Sequence, residues 1–224
     1  MLNSSGELSS CKAAAVGQPI YAPDGIAIQN STAYISSSGP ESFHQGVTTC
    51  SVNGSLLSNC SFTQGDASFS VPSDLALING TIYITNFNSQ DLQTTYCTIG
   101  NPLCTMATGE GVIAGTSNLL NEPEGLMFAT LNGVNYAYFT NHGSNNVVLC
   151  KVVNATTFNN CTVTGGYFTG FGNLAIATSA AKAFIPSGLK TIASCDVNMT
   201  NGSLSNCVNV NNLGFNNPSG LLIL

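Results

Sequence analysis

Arginine is absent from this chain of 224 residues, and four lysines and two histidines complete its basic side chains. Charged residues make up only 6% and the net charge is −6. A surface that grips phosphates needs clustered Lys and Arg to displace counterions, so nucleic acid is not an expected partner. Long apolar runs are missing too. None approaches the roughly 18–20 residues that cross a bilayer as a helix, and no membrane span is expected. No stretch repeats apolar residues at i, i+3, i+4 and i+7 over three turns, which argues against a helical repeat. Gly-x-Ser-x-Gly, His-Glu-x-x-His, the phosphate loop and the dinucleotide fingerprint are all absent. Residues 1–6 carry neither the basic nor the apolar region of a secretory leader.

What is present is repetition. Cysteines pair off as Cys50/Cys60, Cys97/Cys104, Cys150/Cys161 and Cys195/Cys207, with nine, six, ten and eleven residues between partners, and Cys11 stands alone. An apolar tetrad recurs behind a proline: Pro23-Asp-Gly-Ile-Ala-Ile, Pro72-Ser-Asp-Leu-Ala-Leu, Pro123-Glu-Gly-Leu-Met-Phe, the degenerate Phe171-Gly-Asn-Leu-Ala-Ile, and Pro218-Ser-Gly-Leu-Leu-Ile. These starts are 49, 51, 48 and 47 residues apart. Each tetrad is followed by a β-branched or aromatic run such as Thr81-Ile-Tyr-Ile-Thr, then by two runs that carry the cysteines. Four short strands per period of 40–50 residues, split by Asn-Gly and Asn-Ser turns, predict a propeller blade. The expected fold is an all-β propeller of about five blades, each of four antiparallel strands.

In this register the complete blades are residues 23–62, 72–106, 123–163 and 171–210. Residues 1–17 supply the end of a split blade and 218–224 its first strand. Gly6-Glu-Leu-Ser-Ser-Cys11 matches Gly202-Ser-Leu-Ser-Asn-Cys207, which would put the partner of Cys11 just before Met1. Three completions of the split blade stay open. The chain is part of a longer propeller or array, a second copy donates the missing strands head to tail, or the fifth blade is incomplete.

Each cysteine interval holds a turn, as at Asn53-Gly54 or Asn201-Gly202, so the two sulfurs should meet across strands three and four as a disulfide. Structural zinc sites more often use cysteines two to four residues apart, frequently with His. Disulfides imply a secreted, periplasmic or cell-surface protein. A missing leader then implies one that was removed, or a longer product. A neutral surface rich in Asn, Ser, Thr and Gly suits the same setting. Nine Asn-x-Ser/Thr sequons (Asn3, Asn30, Asn53, Asn59, Asn79, Asn154, Asn160, Asn198 and Asn201) make glycosylation an open expectation.

The loops entering strand one and those joining strands two and three share one face of a propeller. That face should carry Asp24, Asp74, Glu124 and Asn173, with Ser37, Asn86 and Asn141 at the strand-two ends and His44 and His142 in the loops beyond. Asp24, Asp74, Glu124, Asn86, Asn141 and His142 are the candidate ligand-binding residues. As oxygen donors they could hold calcium or hydrogen-bond a glycan. Alternatively they accept backbone N–H groups and shape the turn into strand one, a role that their repetition from blade to blade favours. The two histidines fall in Gly/Ser loops of different blades, where a solvated side chain is the expectation.

The units Pro-x-Gly-Ile-Ala, Asn-Gly-Thr-x-Tyr-Ile-Thr-Asn and Val-x-x-Cys-x-Val-x-x-x-Gly-x-Leu-x-x-Cys resemble NHL/YVTN-type propellers, with Ile82-Tyr-Ile-Thr-Asn86 and Tyr138-Phe-Thr-Asn141 as the closest matches. They are most similar to secreted bacterial, lactonase-like members with a cysteine pair in each blade. The resemblance spans nearly the whole chain and implies an enzyme working at the channel mouth, often with a divalent metal. Asp24, Asp74, Glu124, Asn141 and His142 would be its residues. The residues themselves, with no catalytic motif, point first to a non-catalytic extracellular binding or structural module, such as a self-assembling surface or fibre subunit. A glycan-binding propeller is the third reading. It wants an aromatic in each inter-blade pocket, whereas Tyr34, Tyr83 and Tyr138 are expected to pack between blades.

Overall fold

The computed structural model describes residues 13–15, 17–39, 44–65, 69–87, 94–99, 104–109, 119–154, 156–168, 172–188 and 190–210. Cys11 and the fifth tetrad lie outside them, and so do most of the split-blade segments. The described chain forms four sheets, each with four antiparallel strands in sequence order, one of them joined by a short fifth strand. The first holds β1 (Pro23–Gln29), β2 (Thr32–Ser38), β3 (Gln45–Asn53) and β4 (Leu56–Gln64). The second holds β5 (Pro72–Ile78), β6 (Thr81–Asn86), β7 (Thr94–Thr98) and β8 (Cys104–Met106). After a two-residue strand, β9 (Thr108–Gly109), the third holds β10 (Pro123–Leu131), β11 (Val134–Asn141), β12 (Asn146–Asn154) and β13 (Thr157–Thr164). The fourth holds β14 (Ala175–Ala177), β15 (Lys182–Pro186), β16 (Ile192–Val197) and β17 (Leu204–Val210). These are the blades of a propeller. β9 leaves the second blade to pair in parallel with the outer strand of the third, Thr108 opposite Thr157.

The turns explain the strand boundaries. Asn79-Gly80 and Asn132-Gly133 adopt positive φ at both residues, the geometry of the two-residue hairpin that matches strand twist. In the fourth blade a short 3₁₀ turn, Thr178–Ala180, replaces it. All four cysteine pairs are bonded between the third and fourth strands: Cys50–Cys60, Cys97–Cys104, Cys150–Cys161 and Cys195–Cys207. In three blades an asparagine just before the second cysteine has positive φ (Asn59, Asn160, Asn206). The ladder register shifts at the same place. This bulge turns the second sulfur toward the first. The second blade, with the shortest interval, pairs Cys97 directly opposite Cys104.

The core lies between blades rather than within them. Tyr83 and Tyr138 are wholly buried. Tyr83 packs on Phe128 and Phe158 of the third blade, with ring centres 5.0 and 5.4 Å away. Tyr138 joins Leu149 and Leu174 between the third and fourth, and its hydroxyl donates to Gly202 O at 2.7 Å. A buried aromatic of this kind stabilises by about 2–3 kcal/mol.

A second device ties the blades near the channel. Ser36, Thr85 and Thr140, at equivalent places in strand two, accept the N–H of Gly25, Asp74 and Gly125 at 2.8, 3.0 and 2.8 Å. The same hydroxyls donate to the carbonyls of Ser73, Glu124 and Gly172 in the next blade. The fourth blade has Pro186 at this position, which has no hydroxyl to offer.

Candidate functional site

The candidate face is built where strand one begins. The residues before the three prolines, Ala22, Val71 and Glu122, all have positive φ, at 40°, 51° and 50°. Left-handed backbone is disfavoured for such side chains, most of all for β-branched valine. An equivalent hydrogen bond holds each: their carbonyls accept the N–H of Ser38, Phe87 and His142 at 3.1, 2.9 and 3.1 Å. Recurrence in three blades makes this backbone part of the architecture. It also brings the residue that follows strand two against the entry to strand one.

In the third blade this juxtaposition carries chemistry. His142 Nδ1 lies 3.2 Å from Glu122 Oε2, an ion pair when the imidazole is protonated. The His142 ring also rests on Phe87 of the preceding blade, centre to centre 5.3 Å. Two residues along, Glu124 is half-buried. Desolvation holds its carboxyl above the usual range; the charge of His142 opposes this shift and that of Asp24 adds to it. Asp24, Glu124 and His142 therefore share one electrostatic neighbourhood drawn from two blades. Glu122 completes it, and no motif in the sequence marked that residue; its one signal is an acid directly before the repeat proline.

The other candidate residues serve the scaffold. Aligned by the proline, Asp24 and Glu124 stand second in the repeat, whereas Asp74 and Asn173 stand third. Asp74 is only 4% exposed. Its Oδ2 accepts the Leu126 N–H at 2.8 Å, and Asn173 hydrogen-bonds the same carboxyl. Burial, the largest influence, pushes the Asp74 pKa up to about 7 against these bonds. Glycine makes room for it: a methyl on Gly25 would stand 2.7 Å from Asp74 Oδ1. Asn86 is buried; its Oδ1 accepts Ser70 N–H and its Nδ2 donates to Thr95. Asn141 is buried likewise, accepting Asn121 N–H and donating to Leu119 O and Asn146 Oδ1. Ser37 Oγ is buried with no hydrogen-bond partner among the described residues.

His44 stacks on Tyr21 with ring centres 4.2 Å apart, a different setting from that of His142. Among the described residues no three His, Cys, Asp or Glu side chains are grouped to hold a metal ion. The donors expected for calcium are divided among an exposed Asp24, a half-buried Glu124, a buried and hydrogen-bonded Asp74 and two hydrogen-bonded asparagines.

No protein-family model matches this sequence, and no curated protein matches it significantly. Solved structures do share the fold. The periplasmic gluconolactonase of Pseudomonas aeruginosa superposes with a TM-score of 0.62 at 12% identity, over 86% of this chain and 58% of that protein. A gluconolactonase from Xanthomonas campestris gives 0.60 at 11%, over 87% and 63%. An auxiliary nutrient binding protein from Bacteroides ovatus gives 0.59 at 12%, over 88% and 43%. The chain thus spans 43% to 63% of the length of these proteins. The fold is a disulfide-stapled β-propeller like those of these structures, and among the described residues no helix is long and apolar enough to cross a membrane.

Proposed function

We propose that the chain is the propeller of a secreted or periplasmic lactonase-like hydrolase that opens a cyclic ester at this face. The observation that carries the reading is the His142 Nδ1–Glu122 Oε2 pair at 3.2 Å, with the half-buried Glu124 feeling the charges of His142 and Asp24. A carboxyl held above its usual range can exchange protons closer to neutral pH, which general acid–base catalysis requires. Glu124 takes a proton from a water as its oxygen bonds to the lactone carbonyl carbon. The ring C–O bond then breaks, and the departing ring oxygen receives the proton of the His142 imidazolium. The product is the open hydroxy acid. The two gluconolactonase neighbours lend support, at identities that bear on fold alone. The four disulfides support the compartment.

Hydrolysis of δ-gluconolactone in a pH-stat tests this. Glu124→Gln should lower turnover about 100-fold or more, the usual worth of a general acid or base. A wild-type protein with no turnover above the buffer rate would return the assignment to a non-catalytic module. One observation favours that second reading. Ile26 on β1 is 56% exposed, while its counterparts Leu75, Leu126 and Leu174 are 3%, 4% and 3% exposed beneath a preceding blade. Such an apolar face suits a covering strand, supplied by this chain or by a second copy joined head to tail, and sizing at high concentration would detect the latter.

A further inference from the structure

The three described joints between blades are not filled alike. Between the second and third blades, Phe128 and Phe158 enclose Tyr83. Between the third and fourth, the hairpin joining β16 to β17 folds back over the third blade. There Tyr136 donates to Thr200 O, Tyr138 to Gly202 O and Asn132 to Met199 O. Between the first and second blades the equivalent tyrosine is Tyr34, and the strand-one counterpart of Phe128 is the smaller Leu77. The cysteine interval that sets hairpin length is six residues in the second blade and eleven in the fourth. A hairpin five residues shorter has less chain to lay over its neighbour. The result is an open cleft of about 400 Å³.

Its lining has a consistent chemistry. Tyr34 and Phe69, 7% and 8% exposed, form its apolar wall together with Ile82 and the Cys97–Cys104 disulfide. Thr49, Ser61, Thr98 and Gln64 supply neutral donors and acceptors, and their side chains have no hydrogen-bond partner among the described residues. Among the described residues no Asp, Glu, Lys, Arg or His lines it. Aromatic faces beside uncharged hydrogen-bonding groups complement a neutral ring that has C–H groups on one face and hydroxyls around its edge. We propose that this cleft, apart from the channel face, binds a neutral saccharide. The volume is at the lower end of ligand sites, which run from about 300 to 1,000 Å³, and suits about one or two sugar rings.

The test is calorimetric titration of the full chain with glucose, galactose, N-acetylglucosamine and cellobiose, with glucuronate and phenol as charged and hydroxyl-poor controls. At least one neutral sugar should bind more tightly than both controls. Ser61 sits on the exposed rim, so Ser61→Trp should block the cleft without touching the core and weaken binding at least tenfold. Tyr34→Phe should weaken it about fivefold, the worth of one hydrogen bond. Thermal melts confirm that both variants are folded. Lactone turnover, which belongs to the other face, should be unchanged in Ser61→Trp. Absence of binding by all four sugars, tighter binding of phenol or glucuronate, or full affinity in a folded Ser61→Trp protein would overturn the proposal.

Discussion

The carboxylate of Asp74 accepts the backbone N–H of Leu126 at 2.8 Å, joining the second blade to the third next to the channel. Because burial pushes its pKa up to about 7, this joint is coupled to pH. The unfolded chain releases the Asp74 proton near the ordinary carboxylate value of about 4. Between about pH 4 and pH 7 the folded protein therefore holds a proton that the unfolded chain has lost. Stability contributed by this group is full below that window, falls as pH rises through it and is level above. Asp74→Asn has no proton to lose. Its melting temperature should match wild type near pH 4 and exceed it at pH 8. Paired thermal melts from pH 4 to pH 8 check this, and parallel curves would contradict it.

The hydroxyl of Thr85 serves two blades at once, accepting from Asp74 N and donating to Glu124 O. Valine has the same shape without the hydroxyl, so Thr85→Val leaves the buried Asp74 N–H short of a partner, while Glu124 O keeps the Ser73 hydroxyl. An unsatisfied buried group costs about 1–3 kcal/mol, and a loss of that size is expected in urea denaturation. Thr85→Ser keeps the hydroxyl and should recover most of the difference.

Much of this architecture was legible in the sequence because period and pairing are local. The 47–51-residue spacing marked four-stranded units, and the cysteines marked strands three and four. The site was less legible for physical reasons. Aspartate behind a proline reads the same whether it faces solvent, as Asp24 does, or a neighbouring blade, as Asp74 does. Asn86 and Asn141 looked like ligand donors because a loop clamp needs the same amide. Glu122 escaped notice because its role depends on left-handed backbone before a proline, which local propensity disfavours. His142, expected to be solvated, is held by that residue twice, through backbone and side chain.

Asn160 illustrates a position with a conformational requirement. It has φ of 51°, directly before Cys161, and exposes its side chain to solvent. Asparagine tolerates this region; alanine pays about 1–2 kcal/mol to enter it, whereas glycine enters freely. Asn160→Ala should therefore lower the melting temperature more than Asn160→Gly, even though glycine removes more of the side chain. The reverse order would mean that the amide itself, rather than the backbone, stabilises the bulge.

The disulfides allow a comparison within one chain. Cys150–Cys161 is separated by 11 residues in sequence and Cys97–Cys104 by 7. Closing such short loops stabilises by about 2–3 kcal/mol, with little difference between them in the chain-entropy account. The surroundings differ more. Cys150 is wholly buried in the joint between the second and third blades, whereas the second-blade bond borders the open cleft. Replacing Cys150 and Cys161 by alanine should lower stability by that loop term plus the lost packing. The same change at Cys97 and Cys104 also loses packing, since Cys97 is buried between the first and second blades, but less of it because this bond borders the cleft. Denaturant titration of the two double variants measures the difference. Alkylation followed by mass measurement checks the starting point: four bonds hold 4 × 2 = 8 of the cysteines, and those eight should take up label only after reduction. Labelling of any of them without reductant would undo both the pairing and the inferred oxidising compartment.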